Sequence, residues 1–168
     1  MFVSIHRILF PTDFSEPAME AQKYAMALAD RFGAELHLLH VVAPEVAMPL
    51  PDSTTSWMLP ATDLKLLVET AEKRLLQELG SGWTEGCRTK HTAVVGNAVE
   101  EIVKYAKEHE IELIVIGTHG RTGLSHLLLG SVAEKLVRLA TCPVLTVHPQ
   151  GHQFLIDETP SRSAAAKM

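Results

Sequence analysis

Glycines and a serine recur at fixed spacing in the stretch IGTHGRTGLSHLLLGS, residues 116–131. Gly117, Gly120 and Gly130, followed by Ser131, form the pattern G-x2-G-x9-G-S. Glycine lets a backbone approach a ligand closely, and successive backbone N–H groups can then surround an anion. Ser131 begins an apolar-periodic segment, so a helix N-terminus would add N–H groups and a hydroxyl donor at the same place. The chemistry that this arrangement would suit is phosphate binding.

A plainer interpretation of the same residues stays open. Strand-to-helix connections commonly use glycine, and Ser131 with Glu134 has the spacing of a capping box, which satisfies a helix without a ligand. The spacing also differs from the dinucleotide fingerprint G-x-G-x-x-G and from the P-loop G-x4-G-K-[ST]. The glycines by themselves therefore leave phosphate binding and a capped turn as two alternatives.

The chain has nine histidines, a residue type that commonly binds metal ions, but their spacing matches no set of metal ligands. His37 and His40 lie on opposite faces of an expected strand, because side chains alternate along a strand. They therefore cannot share a metal ion. Cys87 and Cys142 also match no metal or redox spacing, and we expect two reduced thiols.

Composition indicates one globular domain with an acidic charge balance. The 168 residues are 46% hydrophobic and 21% charged, which suits one domain with a substantial core. The net charge of −5 argues against a general nucleic-acid binder, since such proteins need a basic face. No apolar run is long enough to span a membrane, and the N-terminus lacks the features of a signal peptide. We expect a cytoplasmic protein without nucleic-acid or membrane partners.

Apolar periodicity predicts strands that alternate with helices. The continuous apolar runs at 36–42 and 111–116 suit strands that are covered on both faces. Such alternation predicts βαβ units and a parallel sheet. The predicted strands span residues 5–11, 34–42, 87–95, 111–117 and 142–149, and the predicted helices begin after Ser15, near Thr62, after Asn97 and at Ser131.

Two segments show no steady period. Residues 43–61 contain four prolines and predict a long loop of the kind that can act as a lid. Residues 150–168 are polar and rich in small side chains, and we expect a mobile tail after a domain that spans residues 1–149.

The segments that directly follow the strands are the ones to examine for a site. In open parallel sheets, ligands bind beyond the carboxyl ends of the strands, where the winding of the sheet reverses. Those segments are PTD at 11–13, VVAP at 41–44, GNA at 96–98 and the glycine stretch at 116–131.

The glycine spacing resembles that of the ATP-binding branch of the universal stress protein family. Three further segments resemble the family: RILFPTDFSEPAMEAQKYAMALA, ELHLLHVV and ELIVIGTHGRTGLSHLLLGSVAEKLVRLATCPVLTV. The resemblance covers residues 5–148, and this chain departs from the family's binding motif at no position.

The resemblance implies a Rossmann-like α/β fold of the adenine nucleotide alpha hydrolase-like type. Its open five-stranded parallel sheet would carry helices on both faces, with strand order 3-2-1-4-5. ATP with Mg²⁺ would bind at the ends of the first and fourth strands. A homodimer would form through the last strand, residues 143–148.

The resemblance also implies which residues bind ATP. Asp13 resembles the acidic residue near the nucleoside, whose carboxylate could accept ribose hydroxyls or hold Mg²⁺ through water. Turn formation before a helix is the alternative role for Asp13. The phosphate and ribose cradle would comprise Gly117, Gly120, Gly130, Ser131 and the backbone of Val132.

Further implied positions surround that cradle. Arg121 could pair with a phosphate or lie in solvent, and His119 is more typical of a backbone-positioning or solvent-facing residue. The other implied positions are Pro11 and Thr12 at the same mouth, Val41 or its neighbour Val42 at the adenine edge, and Ile116.

The function that the resemblance implies is a nucleotide-responsive module of the stress response. No general base is evident, so we expect at most slow ATP hydrolysis or autophosphorylation. Two alternatives stay open: a nucleotide hydrolase or transferase with real turnover, and a nucleotide-free dimeric interaction protein. The related adenylating enzymes use a glycine-serine loop after the first strand, where this chain has PTDFS.

Overall fold

The structure, a computed structural model, describes residues 2–43, 61–79, 88–118 and 130–148. In these ranges strands and helices alternate along the chain, as the periodicity predicts. The elements are β1 (Arg7–Pro11), α1 (Glu16–Phe32), β2 (Glu35–Val42), α2 (Ala61–Leu79), β3 (Thr89–Val95), α3 (Ala98–Glu108), β4 (Leu113–Gly117), α4 (Ser131–Leu139) and β5 (Val144–Val147).

The strands form one parallel sheet in the order β3-β2-β1-β4-β5. β1 lies at its centre, paired with β2 on one side and with β4 on the other. The first two crossovers therefore add strands toward β3, whereas the last two place β4 and β5 on the other side of β1, so the winding reverses between β1 and β4. The expected fold class and strand order are confirmed.

The two faces of the sheet carry separate halves of the core. Side chains alternate along a strand, so Ile8 and Phe10 face the layer of α1 and α2, while Leu9 faces the layer of α3 and α4. All three are fully or almost fully buried. Both faces of the central strands are thus covered, which explains why their sequences are continuously apolar.

Local signals fix the ends of the first and third helices. Ser15 caps α1 by accepting a hydrogen bond from the Ala18 N–H. Gly33 ends α1 in the left-handed region at φ 63°, where a residue without Cβ is favoured. Asn97 caps α3 through the N–H groups of Val99 and Glu100. The predicted starts of both helices are confirmed.

Two predicted segments lie mostly or wholly outside the described residues: the loop at 43–61, apart from its end residues, and the tail at 150–168. Within the part of the chain that is described, no helix has the length and apolar character needed to cross a bilayer.

Candidate functional site

A cleft of about 270 Å³ opens at the carboxyl ends of β1 and β4. This is the point at which the winding of the sheet reverses, so its position agrees with the general rule for ligand sites in open α/β sheets. Its volume lies near the lower end of the range that is typical of small-molecule sites, roughly 300–1,000 Å³. It is lined by Pro11, Thr12, Asp13, Ala18, Leu39, Val41, Ala98, Ile102, Ile116, Gly117, Thr118, Gly130, Ser131, Val132 and Ala133.

Most of the site residues proposed from the sequence meet in this cleft. They come from the ends of β1, β2 and β4 and from the first turn of α4. Val42 does not line it, and His119, Gly120 and Arg121 lie outside the described residues. Those that line the cleft are Pro11, Thr12, Asp13, Val41, Ile116, Gly117, Gly130, Ser131 and Val132.

The N-terminus of α4 differs from the capping box that the sequence allowed. Gly130 is the N-cap residue, and no side chain among the described residues makes a cap hydrogen bond to this helix. Ser131 is the first helical residue and is solvent-exposed, so it is not the cap. In any helix the N–H groups of the first turn have no carbonyl partner within the helix. Here that first turn lines the cleft, where an anion could supply the acceptor.

Gly117 is required for packing, which the sequence did not reveal. A Cβ on this residue would lie 2.8 Å from the Pro17 carbonyl oxygen in the first turn of α1. Neither Gly117 nor Gly130 has a positive φ, so left-handed backbone freedom does not explain either glycine. Gly117 therefore lets β4 end directly against the start of α1, and both Gly117 and Ala18 of α1 line the cleft.

The turn after β1 carries Thr12 and Asp13 into the cleft. Asp13 Oδ1 accepts a hydrogen bond from the Ser15 N–H at 3.0 Å. Asp13 therefore forms a turn before α1, which is the alternative role that the sequence left open. Thr12 Oγ1 accepts one from the Phe14 N–H at 3.0 Å. Asp13 also lines the cleft, and the turn therefore fixes a carboxylate at the edge of the cleft.

The structure distinguishes the two valines at the end of β2. Val41 lines the cleft and packs against the core cluster under α3 and α4. Val42 is the next residue, and alternation along the strand turns its side chain to the other face. The geometry therefore favours Val41 as the contact at this end of the cleft.

An apolar wall of the cleft was missed in the sequence. Ala98 and Ile102 are one helical turn apart in α3, and they lie beside Leu39 of β2. The GNA segment at 96–98 pointed to Ala98, and the i, i+4 spacing extends that signal to Ile102. Thr118, which directly follows Gly117, is a buried residue of the lining that the sequence also left unassigned. The remaining unpredicted lining residues are Ala18 and Ala133.

The histidines of β2 are separated as predicted. On the face of the sheet covered by α3, His37 Nδ1 lies 3.1 Å from the Tyr105 hydroxyl oxygen. On the opposite face, His40 contacts Thr12 and Phe14. Burial lowers the pKa of His37 below its ordinary value of 6.5, which favours the neutral imidazole. The described residues include no cluster of three or more His, Cys, Asp or Glu suited to a metal ion.

Of the two cysteines, Cys142 is a free thiol, as expected, and Cys87 lies outside the described residues. Burial raises the pKa of the Cys142 thiol. The raised pKa disfavours the thiolate, which is the nucleophilic form of cysteine.

Comparison with known proteins assigns a family to this architecture. The sequence model of the universal stress protein family matches residues 4–148. Universal stress protein MJ0531 of Methanocaldococcus jannaschii is 38% identical over 143 residues, which cover 84% of this chain and 81% of that protein. Universal stress protein MJ0577 of the same organism is 36% identical over 159 residues, covering 88% and 97%.

Solved structures agree with the sequence comparison. The structure of MJ0577 matches with a TM-score of 0.72 at 34% identity, covering 89% of this chain and all of that one. The structure of universal stress protein UspA from Lactobacillus plantarum matches with a TM-score of 0.68 at 26% identity, covering 87% and 99%.

Proposed function

This chain belongs to the universal stress protein family, and on that premise we propose that it binds ATP with Mg²⁺ in the cleft between β1 and β4. Nucleotide occupancy would make it a signalling module of the stress response that acts in the cytoplasm as a homodimer. The observation that carries the proposal is the N-terminus of α4, which no described side chain caps and which lines a cleft that also holds Thr12 and Asp13.

The phosphates would bind at the α4 end of the cleft. The first-turn N–H groups and the positive end of the helix dipole both favour an anion there. Gly130 has no side chain to shield them, and its own N–H donates to the Thr118 carbonyl oxygen, which fixes the start of the helix. His119, Gly120 and Arg121 of the glycine motif would complete this end.

The adenine would bind at the apolar end of the cleft. Leu39, Val41, Ala98, Ile102 and Ile116 supply a wall on which a flat ring could be buried. Backbone groups of Val41 at the end of β2 would read the edge of the base. Apolar walls with a few placed polar groups are the usual construction of such sites.

Asp13 would serve the ribose and the metal ion. One carboxylate oxygen holds the Ser15 N–H, and each carboxylate oxygen can accept more than one hydrogen bond. Asp13 could therefore accept a ribose hydroxyl or hold Mg²⁺ through water while the turn stays intact. We place Mg²⁺ here by its preference for oxygen ligands and retained waters.

Binding rather than rapid catalysis is the role that the lining supports. Among the described residues that line the cleft, Asp13 is the one with a titratable side chain. We assign its carboxylate to the turn and to the ribose or Mg²⁺, and efficient hydrolysis needs a further residue that orients or deprotonates the attacking water. We therefore propose a catalytic activity no greater than slow ATP hydrolysis or autophosphorylation.

Two variants of Ser131 test the phosphate end. Ser131→Pro removes one N–H and the hydroxyl, yet proline is favoured at the first helical position, and Gly130 at ψ 150° has the extended backbone that precedes proline. Ser131→Ala removes only the hydroxyl. We expect the proline variant to bind ATP at least tenfold more weakly, because a hydrogen bond to a charged group contributes about 1.5–3 kcal/mol. The alanine variant should lose less.

Calorimetric titration with ATP, AMP and cAMP measures these affinities. Two universal stress proteins have been solved with cAMP and with dAMP, but at 24% and 20% identity those likenesses speak for a shared fold alone. A wild-type protein that binds none of the nucleotides would overturn the proposal. If the wild type and Ser131→Pro bind ATP with equal affinity, the α4 N-terminus does not bind the phosphates, and that part of the proposal is wrong.

A further inference from the structure

The turn that carries Thr12 and Asp13 holds a strained residue. Phe14 has φ 63°, in the left-handed region that a residue with a bulky side chain rarely adopts. Such a conformation is unfavourable and persists only where the surrounding structure enforces it. The contacts that enforce it therefore identify residues that act on the turn.

His40 of β2 supplies the first of these contacts. Its Nδ1 lies 2.8 Å from the Thr12 carbonyl oxygen. A carbonyl oxygen can only accept, so Nδ1 carries the proton and donates. The imidazole also packs on the Phe14 ring, with centroids 4.4 Å apart and planes inclined by 30°. One buried side chain thus holds the backbone of Thr12 and the ring of Phe14 together.

Arg74 of α2 supplies the second contact. Its guanidinium carbon lies 4.2 Å from the centroid of the Phe14 ring, within the range of a cation–π interaction. Its Nη2 lies 3.5 Å from the Phe14 carbonyl oxygen. Arg74 is exposed at its own position on the helix, so it is not needed to fill the core.

We propose that His40 and Arg74 are positioning residues of the nucleotide site, which act through Phe14 to hold Thr12 and Asp13 in the orientation that receives the ligand. Neither residue lines the cleft. The inference rests on the proposed function for its ligand, and it adds a link from α2 to the site. Without the two contacts, the strained turn relaxes and the Asp13 carboxylate leaves its place at the cleft.

The chain offers a matched control for each residue. His37 is a buried histidine on the opposite face of the same strand, with no contact to the turn, so His37→Leu and His40→Leu remove equivalent side chains. Lys73 is the neighbouring exposed cation on α2, so Lys73→Ala and Arg74→Ala remove the same charge from the same helix. A loss of ATP affinity that a control variant shows as well would reflect general destabilisation or the removal of a positive charge.

The ATP titration of these variants tests the proposal. We expect His40→Leu to weaken binding about tenfold, since leaving a buried carbonyl without its donor costs about 1–3 kcal/mol. Arg74→Ala should weaken it about threefold, as for a cation–π contact of roughly 0.5–1 kcal/mol. Each control should stay within about twofold of the wild type. His40→Asn should restore most of the affinity, because its amide nitrogen occupies the place of Nδ1.

A measurement on the ligand-free protein separates this inference from the proposed function. Amide hydrogen exchange at Phe14 and Ser15 reports whether the turn is held, because both N–H groups donate to side chains within it. We expect faster exchange at these two amides in His40→Leu and Arg74→Ala, but not in His37→Leu or Lys73→Ala. Unchanged exchange, or an equal change in the controls, overturns the inference whether or not the wild type binds ATP.

Discussion

At the residue scale, one glycine of the motif, Gly117, is required for close packing. The Cβ that Gly117 lacks would meet the Pro17 carbonyl oxygen at 2.8 Å, across the junction of β4 and α1. Gly33 is a different case, because a Cβ there would meet no atom within 4 Å but φ is 63°. One glycine is needed for close packing and the other for its backbone angle.

Substitution by alanine should separate the two causes. We expect Gly117→Ala to lower the free energy of unfolding by about 1–3 kcal/mol through overpacking, and Gly33→Ala to lower it by about 1–2 kcal/mol through the left-handed backbone. Gly33→Asn should recover part of the loss, because asparagine tolerates this region. Urea denaturation measures all three. A Gly117→Ala protein as stable as the wild type would contradict the packing role.

This packing role also decides which variants can test ligand binding. A valine at Gly117 would collide with α1 before it reached any ligand, so lost binding in that variant would not report on the phosphate. The predicted strand before the glycines and the predicted helix after them placed the motif at the carboxyl edge of the sheet. These local patterns could not predict that Gly117 contacts Pro17, because that contact joins residues that are distant in sequence.

At the scale of elements, periodicity and capping residues predicted every helix and strand that the structure describes. The strands are shorter than the predicted segments, as with β5, which spans Val144–Val147 within a predicted 142–149. Apolarity continues past the hydrogen-bonded ladder because the flanking residues still pack on the core. The start of α4 at Ser131 is confirmed, but the residue that caps it was less predictable, since serine is common both as a cap and in the first turn.

The edge position of β5 makes it the expected dimer strand. Among the described residues, β5 pairs on one side only, with β4, and Val137 and Leu139 of α4 are more than half exposed. An open strand edge of this kind is a template for pairing with another chain. The homodimer through residues 143–148 would use this edge.

A lysine on the edge strand tests that dimer. We expect the wild type to sediment as a dimer and Thr146→Lys to sediment as a monomer, because edge lysines oppose strand pairing between molecules. Thr89→Lys places the same change on β3, the opposite edge of the sheet, and should remain dimeric. Sedimentation velocity distinguishes the forms. A monomeric wild type, or a Thr146→Lys dimer, would contradict the proposed interface.

At the scale of the whole molecule, the cleft is assembled from segments that the sequence keeps far apart. The turn after β1, the end of β2, the start of α3 and the start of α4 meet because a parallel sheet brings strand ends to one edge. The sequence predicted these segments from topology. It did not predict the apolar wall of Ala98 and Ile102, since helix residues at core spacing look alike whether they face a ligand or a strand.

The most direct test of the account is to map ATP onto the folded chain. Backbone amide shifts recorded before and after addition of ATP and Mg²⁺ report which residues meet the ligand. We expect the largest changes at Thr12, Asp13 and Val41 and in the first turn of α4, residues 130–133, with little change along β3. No change on addition of ATP, or changes centred on the β3 edge, would contradict it.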